Sequence, residues 1–293
     1  MENLKVNIIK SEQWINIRGN KKGEILLFVH GGPGNSFIPW AHEFDRELWN
    51  DYNVIHWDQR SSGKSFSGTV SPELRIKDLQ DDLKEIVKIV FEKFGKEIHL
   101  VCHSWGSLLG LSALKDLDYV KSYIGVGQIV NMKKSQELGL KMLARKNYEI
   151  SKLGTPPFKL KEIQEYGEML KAENKVFGDI KHEKIVEIAI KSPDITLEEL
   201  ESSEEAPDYL FEKLQTEINS FSADKFENFQ IPICLIMGKD DFVTNCELAR
   251  QWFKKVESPF KKEYILSHCT HFPMWEKPLD FKNSIDDFTS HLT

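Results

Sequence analysis

The sequence predicts an α/β protein: a mostly parallel central sheet with helices on both faces and one all-helical insertion. Three observations carry this. Continuous apolar runs such as Ile25-Leu26-Leu27-Phe28-Val29 and Ile98-His99-Leu100-Val101 read as strands buried on both faces. These runs alternate with helical patterns, which implies parallel pairing through crossover helices. From about Asn131 to Phe226 no strong strand run occurs and helical segments dominate. At 293 residues and 40% hydrophobic content, the chain is long enough to bury the core this architecture needs.

Taken in order, residues 4–18 alternate in places (Leu4, Val6, Ile8, then Trp14, Ile15, Ile17) and suit an antiparallel edge hairpin. Residues 25–29 and 52–57 are buried strands, each running into a loop dense in glycine or polar residues. Residues 75–94 form an amphipathic helix, with Ile76, Leu79, Leu83, Ile86, Val87, Val90, Phe91 and Phe94 on one stripe. Asp81, Asp82, Lys84, Glu85 and Lys88 read as its solvated face, and Gly95 as its stop. A strand over 98–103, a helix over 107–114 and a strand over 120–127 follow. Helices are expected at about 132–152, 160–175, 182–191, 197–202 and 207–221. The α/β pattern then resumes with strands at 231–237 and 263–266 and helices at 246–256 and 279–292. The division is a core of 1–130 and 226–293 with a helical cap, or lid, over 131–225.

Bulk properties narrow the function. A formal charge of -7 without clustered Lys and Arg argues against a nucleic-acid surface. Neither a leader nor a membrane-length apolar run is evident, so a cytoplasmic protein with no membrane partner is expected. Cys102, Cys234, Cys246 and Cys269 lack pairing motifs and read as reduced, buried thiols.

The chemistry concentrates at Cys102-His103-Ser104-Trp105-Gly106, where an apolar run stops at a serine and a helix begins. Strand, tight turn and helix are what a nucleophile elbow requires: the turn lifts the hydroxyl clear of the sheet, and small neighbours let strand and helix pass closely. The Trp105 N–H then points to where an oxyanion forms. His30-Gly31-Gly32-Pro33-Gly34, after a buried strand, is a loop whose backbone a ligand can approach, with a second oxyanion donor near Gly32. A serine needs a base in reach and the base an orienting acid. Asp240 or Asp241 follows one late strand, and His268 or His271 the last. Serine, acid, histidine is the chain order of the α/β-hydrolase fold. Asp58 and Arg60 read as loop braces rather than chemistry.

Together the His30–Gly34 run, Asp58-Gln59-Arg60 with Gly63 and Ser65, and His103-Ser104-Trp105-Gly106 resemble the proline iminopeptidase family of α/β-hydrolases. The resemblance implies Ser104 as nucleophile, Asp241 (third after Gly238) as acid, and His271 as base within His271-Phe272-Pro273-Met274-Trp275-Glu276. It implies oxyanion donors at the Gly32 and Trp105 backbone, Gly31 and Glu173 as substrate-binding residues, and no metal or organic cofactor. Glu173 has as alternative a surface glutamate on a cap helix. Two departures stand out: Cys102 replaces the elbow glycine, and Ser61 a glycine after the Asp-Gln-Arg run. The expectation is a serine hydrolase, an aminopeptidase releasing N-terminal residues from short peptides. The alternatives are an esterase, lactonase or amidase on small molecules and, from another class, a catalytically silent binding protein. An epoxide hydrolase or dehalogenase is disfavoured, because those need aspartate at the elbow.

Overall fold

The structure is a computed structural model and describes residues 1–9 and 11–292. The chain opens with a hairpin of β1 (Glu2–Ile8) and β2 (Ser11–Gly19), followed by β3 (Glu24–Val29), α1 (Ile38–Phe44), β4 (Tyr52–Asp58) and α2 (Ile76–Phe94). Next come β5 (Ile98–His103), α3 (Trp105–Ala113) and β6 (Val120–Val126). Helices α4 (Met132–Arg145), α5 (Leu160–Ala172), α6 (His182–Ile190), α7 (Leu197–Ser202) and α8 (Ala206–Ser220) then occur in succession. The chain ends with β7 (Ile233–Gly238), α9 (Cys246–Lys255), β8 (Lys261–Leu266), α10 (Pro273–Glu276) and α11 (Pro278–Thr289).

One eight-stranded sheet results, in the order β1-β2-β4-β3-β5-β6-β7-β8. β1 and β2 pair antiparallel and β2 joins β4 antiparallel, whereas the pairs from β4 through β8 are parallel. The apolar runs explain the arrangement: every residue of β4, β5 and β7 is buried, as a parallel strand covered on both faces must be. β8, at the edge, is only half-buried. The four cysteines are free and buried. Among the described residues, no helix is long and apolar enough to cross a membrane.

Several expectations are adjusted. α4 stops at Arg145 rather than continuing to 152, and α5 stops at Ala172, before Asn174 with its positive φ of 54°. The short helices α1 and α10 have no counterpart in the sequence reading, since each is too brief to show a period. Asp82 does not lie on a solvated face. It is fully buried, accepts Arg60 through both guanidinium branches (2.6 and 2.8 Å), and takes a further 2.7 Å hydrogen bond from the Gln13 amide. A charged residue on a helix reads as exposed until a partner on another segment is known, and here Arg60, in the loop after β4, supplies it.

Helices α4 and α5 and the loop between them share a small core, including Leu143, Phe158, Tyr166 and Leu170, with Phe242 and Val243 packed against it from the loop after β7, whereas Leu210, Leu214 and Ile218 of α8 join the main core of the sheet. A buried polar cluster ties the far side of this segment to the sheet. Asp194 pairs with Arg18 and accepts the Asn16 amide at 3.0 Å. Lys64 donates to the Asp194 carbonyl and to Glu199, both at 3.0 Å, while its ammonium lies 4.7 Å from the Trp14 ring. Nearby, Asp58 accepts the Ser36 hydroxyl and the Lys64 N–H (2.8 Å). Burial pushes its pKa up to about 7, against the pull of Ser36 and Lys64 toward the charged form.

Two outcomes are expected. Asp194→Ala leaves the Arg18 guanidinium buried without its carboxylate and lowers unfolding stability by on the order of 3 kcal/mol, read by urea denaturation. The double variant Arg18→Met/Asp194→Leu recovers part of that loss; a single variant as stable as the parent would show that the pair contributes nothing. Asp58 has a folded pKa above its unfolded value of 3.8, so its contribution to stability is full below pH 3.8 and is lost as pH rises through about 7. Asp58→Asn cannot ionise, so its melting temperature relative to the parent should rise between pH 4 and pH 8; parallel curves would mean that Asp58 does not titrate there.

Candidate active site

β5 ends at His103, and α3 starts at Trp105. Ser104 lies between them at φ 51° and ψ -120°, a conformation L-residues seldom hold unless the surroundings enforce it. They do so here. The Ser104 N–H donates to the Val126 carbonyl at 2.9 Å, and the Ser104 carbonyl accepts the Ser107 hydroxyl at 2.6 Å. α3 passes so near β3 that a Cβ at Gly106 would lie 2.1 Å from the Val29 carbonyl oxygen. Cys102 finds its space the same way: its Sγ occupies the bare face of Gly110, where a Cβ would come within 2.4 Å. A side chain at the position usually held by glycine is thus accommodated by a glycine in the second turn of α3.

The residues expected from β7 and β8 converge on Ser104. His271 Nε2 lies 2.9 Å from Ser104 Oγ, and His271 Nδ1 lies 2.9 Å from Asp241 Oδ2. The carboxylate is an acceptor, so Nδ1 carries the proton and Nε2 is left to receive the Ser104 O–H. All three are buried, Ser104 the least so at 9% exposure. Burial alone would raise the Asp241 pKa. The His271 imidazole and the hydrogen bonds from the Thr244 N–H (3.0 Å) and hydroxyl (2.8 Å) instead hold it below the ordinary carboxylate value. Asp240 points away, 3.7 Å from Lys175, and His268 is exposed.

The two loops flanking Ser104 are joined by Gln59. The Trp105 indole donates to Gln59 Oε1 at 2.9 Å, and Gln59 Nε2 donates to the His30 carbonyl at 2.9 Å. His30 Nδ1–H in turn donates to the Gly31 carbonyl at 2.7 Å, and burial lowers the His30 pKa to about 4, which keeps the ring neutral. The Trp105 N–H is at the first helical position, where no intrahelical acceptor exists. Gly31 fits against the elbow: a Cβ there would come 2.9 Å from His103 Nδ1 and 3.2 Å from Ser104 Cβ. Gly32 has φ 127° and precedes a cis peptide bond to Pro33.

A cavity of about 400 Å³ opens over this centre, its floor formed by Gly31, Gly32, Ser104 and His271. Phe37, Trp40, Phe272 and Trp275 line it from the sheet domain, and Ile163, Tyr166, Leu170 and Phe177 from the helical segment. Sequence reasoning missed these wall residues. Phe272 and Trp275 were within reach as neighbours of His271, whereas Tyr166 and Phe177 carry no local signal. Among the described residues lining the cavity there is no aspartate or glutamate; Lys171 brings a charge, ion-paired with Glu168 at 2.6 Å. Glu173 is not brought to the cavity. Its carboxylate lies 3.4 Å from Lys146 and is hydrogen-bonded with Tyr148 at the end of α5.

Comparison with known proteins agrees with this architecture. The probable aminopeptidase YbaC of Bacillus subtilis (strain 168) is 27% identical, over 98% of this chain and 95% of the relative. The crystal structure of proline iminopeptidase from Mycobacterium smegmatis superposes with a TM-score of 0.70 at 16% identity, covering 99% of this chain and 98% of the other. That of an esterase from Rhodococcus sp. ECU1013 gives 0.69 at 19% identity over 100% of both chains. The profile of the alpha/beta hydrolase fold matches residues 24–278, and the chain belongs to that family.

Proposed function

We propose that the protein is a serine hydrolase acting through an acyl-enzyme, with Ser104, His271 and Asp241 as its catalytic triad. The observation that carries this reading is the unbroken chain of two 2.9 Å contacts from the serine hydroxyl through the imidazole to the carboxylate. Ser104 Oγ attacks a carbonyl carbon while His271 Nε2 takes its proton. Asp241 holds the imidazole in the tautomer that can accept and stabilises the imidazolium. The Gly32 and Trp105 N–H groups receive the oxyanion, each such donor contributing on the order of 100-fold or more in rate. The imidazolium then protonates the leaving group, and water activated by the same His271 frees the acyl group. Helices α4–α8 act as a cap that closes the cavity and selects the substrate.

The substrate reading is an aminopeptidase of proline iminopeptidase type, releasing an N-terminal residue from short peptides. It is supported by the name of the full-length relative and by an aromatic cavity large enough for a prolyl ring. A second reading, an esterase or amidase on small neutral molecules, is favoured by the wall composition, since no described lining residue is a carboxylate facing a substrate ammonium. Glu173, turned to Lys146, would have to release that pair to take the amine-binding role the resemblance implies. Free buried cysteines are in keeping with a cytoplasmic location.

The test is a paired assay on prolyl-β-naphthylamide and p-nitrophenyl acetate. Ser104→Ala and His271→Ala should each lower kcat by about 10⁴-fold or more while the protein stays folded. Cleavage of the prolyl amide supports the aminopeptidase; ester turnover alone supports the second reading; turnover by Ser104→Ala near the parent's rate would overturn the triad.

A further inference from the structure

His271 sits on a loop between β8 and α10, and a loop does not by itself hold an imidazole to a fraction of an ångström. What holds it is a set of contacts to its own backbone and its neighbours'. α10 returns Glu276 beneath the loop, where its carboxylate accepts the Thr270 N–H (2.8 Å), the Thr270 hydroxyl (2.8 Å) and the Phe272 N–H (3.0 Å). The backbone N–H groups of the residues on either side of His271 are thus drawn to one carboxylate. The peptide groups of His271 itself are held from two other directions. Its N–H donates to the Val176 carbonyl at 3.3 Å, and its carbonyl accepts His103 Nε2–H at 2.8 Å. Burial lowers the His103 pKa to about 3, so the ring is neutral and stays in this role across the working range.

Val176 belongs to the helical segment, and so do two further contacts. Phe177 stacks on Phe272 and Trp275, with centroids 4.8 and 6.2 Å apart. Gly178, at φ 54°, lies so close to Glu276 that a Cβ there would be 2.3 Å from Oε2. The carboxylate is therefore enclosed between the loop it braces and the segment that roofs the cavity. Its buried position raises its pKa, although Phe272, Thr270 and His271 draw it the other way.

We infer that Glu276 is a positioning residue for His271, and that residues 176–178 complete the clamp, so that the base is aligned with Ser104 only while the helical segment is docked. The inference rests on His271 being the general base. Glu276 touches neither the reacting atoms nor the cavity, and it acts through the backbone it fixes. A misplacement of about 1 Å in a reacting group costs on the order of 100-fold in rate.

The experiment compares the parent, Glu276→Gln, Glu276→Ala and Gly178→Ala, with His271→Ala alongside. Initial rates on p-nitrophenyl acetate are expressed per active site titrated with a fluorophosphonate, and thermal melts check folding. Glu276→Gln keeps the volume but turns an amide NH2 toward a backbone N–H. It should lower kcat about 10- to 100-fold with KM changed less than about 3-fold, and slow fluorophosphonate labelling of Ser104 in parallel. Gly178→Ala, which leaves Glu276 in place but presses on it, should move kcat and labelling in the same direction. If Glu276→Ala does not fold, these two variants decide. A purely structural role would lower the melting temperature but leave kcat per titrated site and the labelling rate at parent values; that result in both variants would overturn the inference. Turnover by His271→Ala at the parent's rate would instead mean that the base assignment is wrong, a separate failure.

Discussion

The site depends on one close approach. α3 must start immediately after β5 and run against the end of β3, so near that the Val29 carbonyl occupies the space a side chain at Gly106 would need. This contact makes the turn at Ser104 sharp, holds it at a positive φ, and leaves the hydroxyl standing above the sheet. It also sets the distance between the elbow and the His30–Gly34 loop, since both hang from adjacent strands β5 and β3. The Trp105–Gln59–His30 hydrogen bonds lock that spacing. Two backbone N–H groups can serve a transition-state oxyanion only if their separation is fixed before the substrate arrives, because reorganisation during the reaction would consume the advantage.

Around this rigid half, the sheet places its other contributors by topology. β7 and β8 follow β6 in parallel order, so the loops after them open on the same edge as the elbow. Asp241 and His271 reach Ser104 because carboxyl ends of parallel strands collect on one edge. Their local geometry is then set by short-range bonds: the Thr244 N–H and hydroxyl on Asp241, and Glu276 beside His271.

Much of this was legible in the sequence because it is written in local chemistry. An apolar run ending in a serine with the small Cys102 and Gly106 two positions to either side, a glycine-rich loop after a buried strand, and acid and histidine after the last two strands each carry their own signal. What was not legible depends on partners far along the chain. Asp82 looks like an exposed helix acid until Arg60 and Gln13 are found beside it. Glu173 is a substrate-binding residue by resemblance, yet it caps the end of α5 with its side chain turned to Lys146, while Val176 and Phe177 just after it reach the cavity. The cavity walls from α5 and the following loop are ordinary helix and loop residues by sequence. Only the docking of the helical segment gives them a function.

This contrast locates where specificity is decided. The proposed triad and oxyanion residues sit at strand ends whose spacing the sheet dictates, and one fold can carry different substrate specificities on such a frame. The helical segment meets the sheet domain through many contacts, among them the apolar face of α8, Arg18 and Lys64 with Asp194 and Glu199, Trp40 with the Ile185 carbonyl, and Val176–Gly178 with the His271 loop. Its inner face is apolar, and Tyr166 and Leu170 there also belong to the segment's buried core, so substitutions that reshape the cavity also bear on the packing of the segment. The contacts near Gly178 are different in kind, because they bear on the base itself. On the inferred clamp, a change that moves this segment outward alters the cavity wall and the alignment of His271 together, whereas a change at Glu276 alone reaches the alignment and leaves the wall in place.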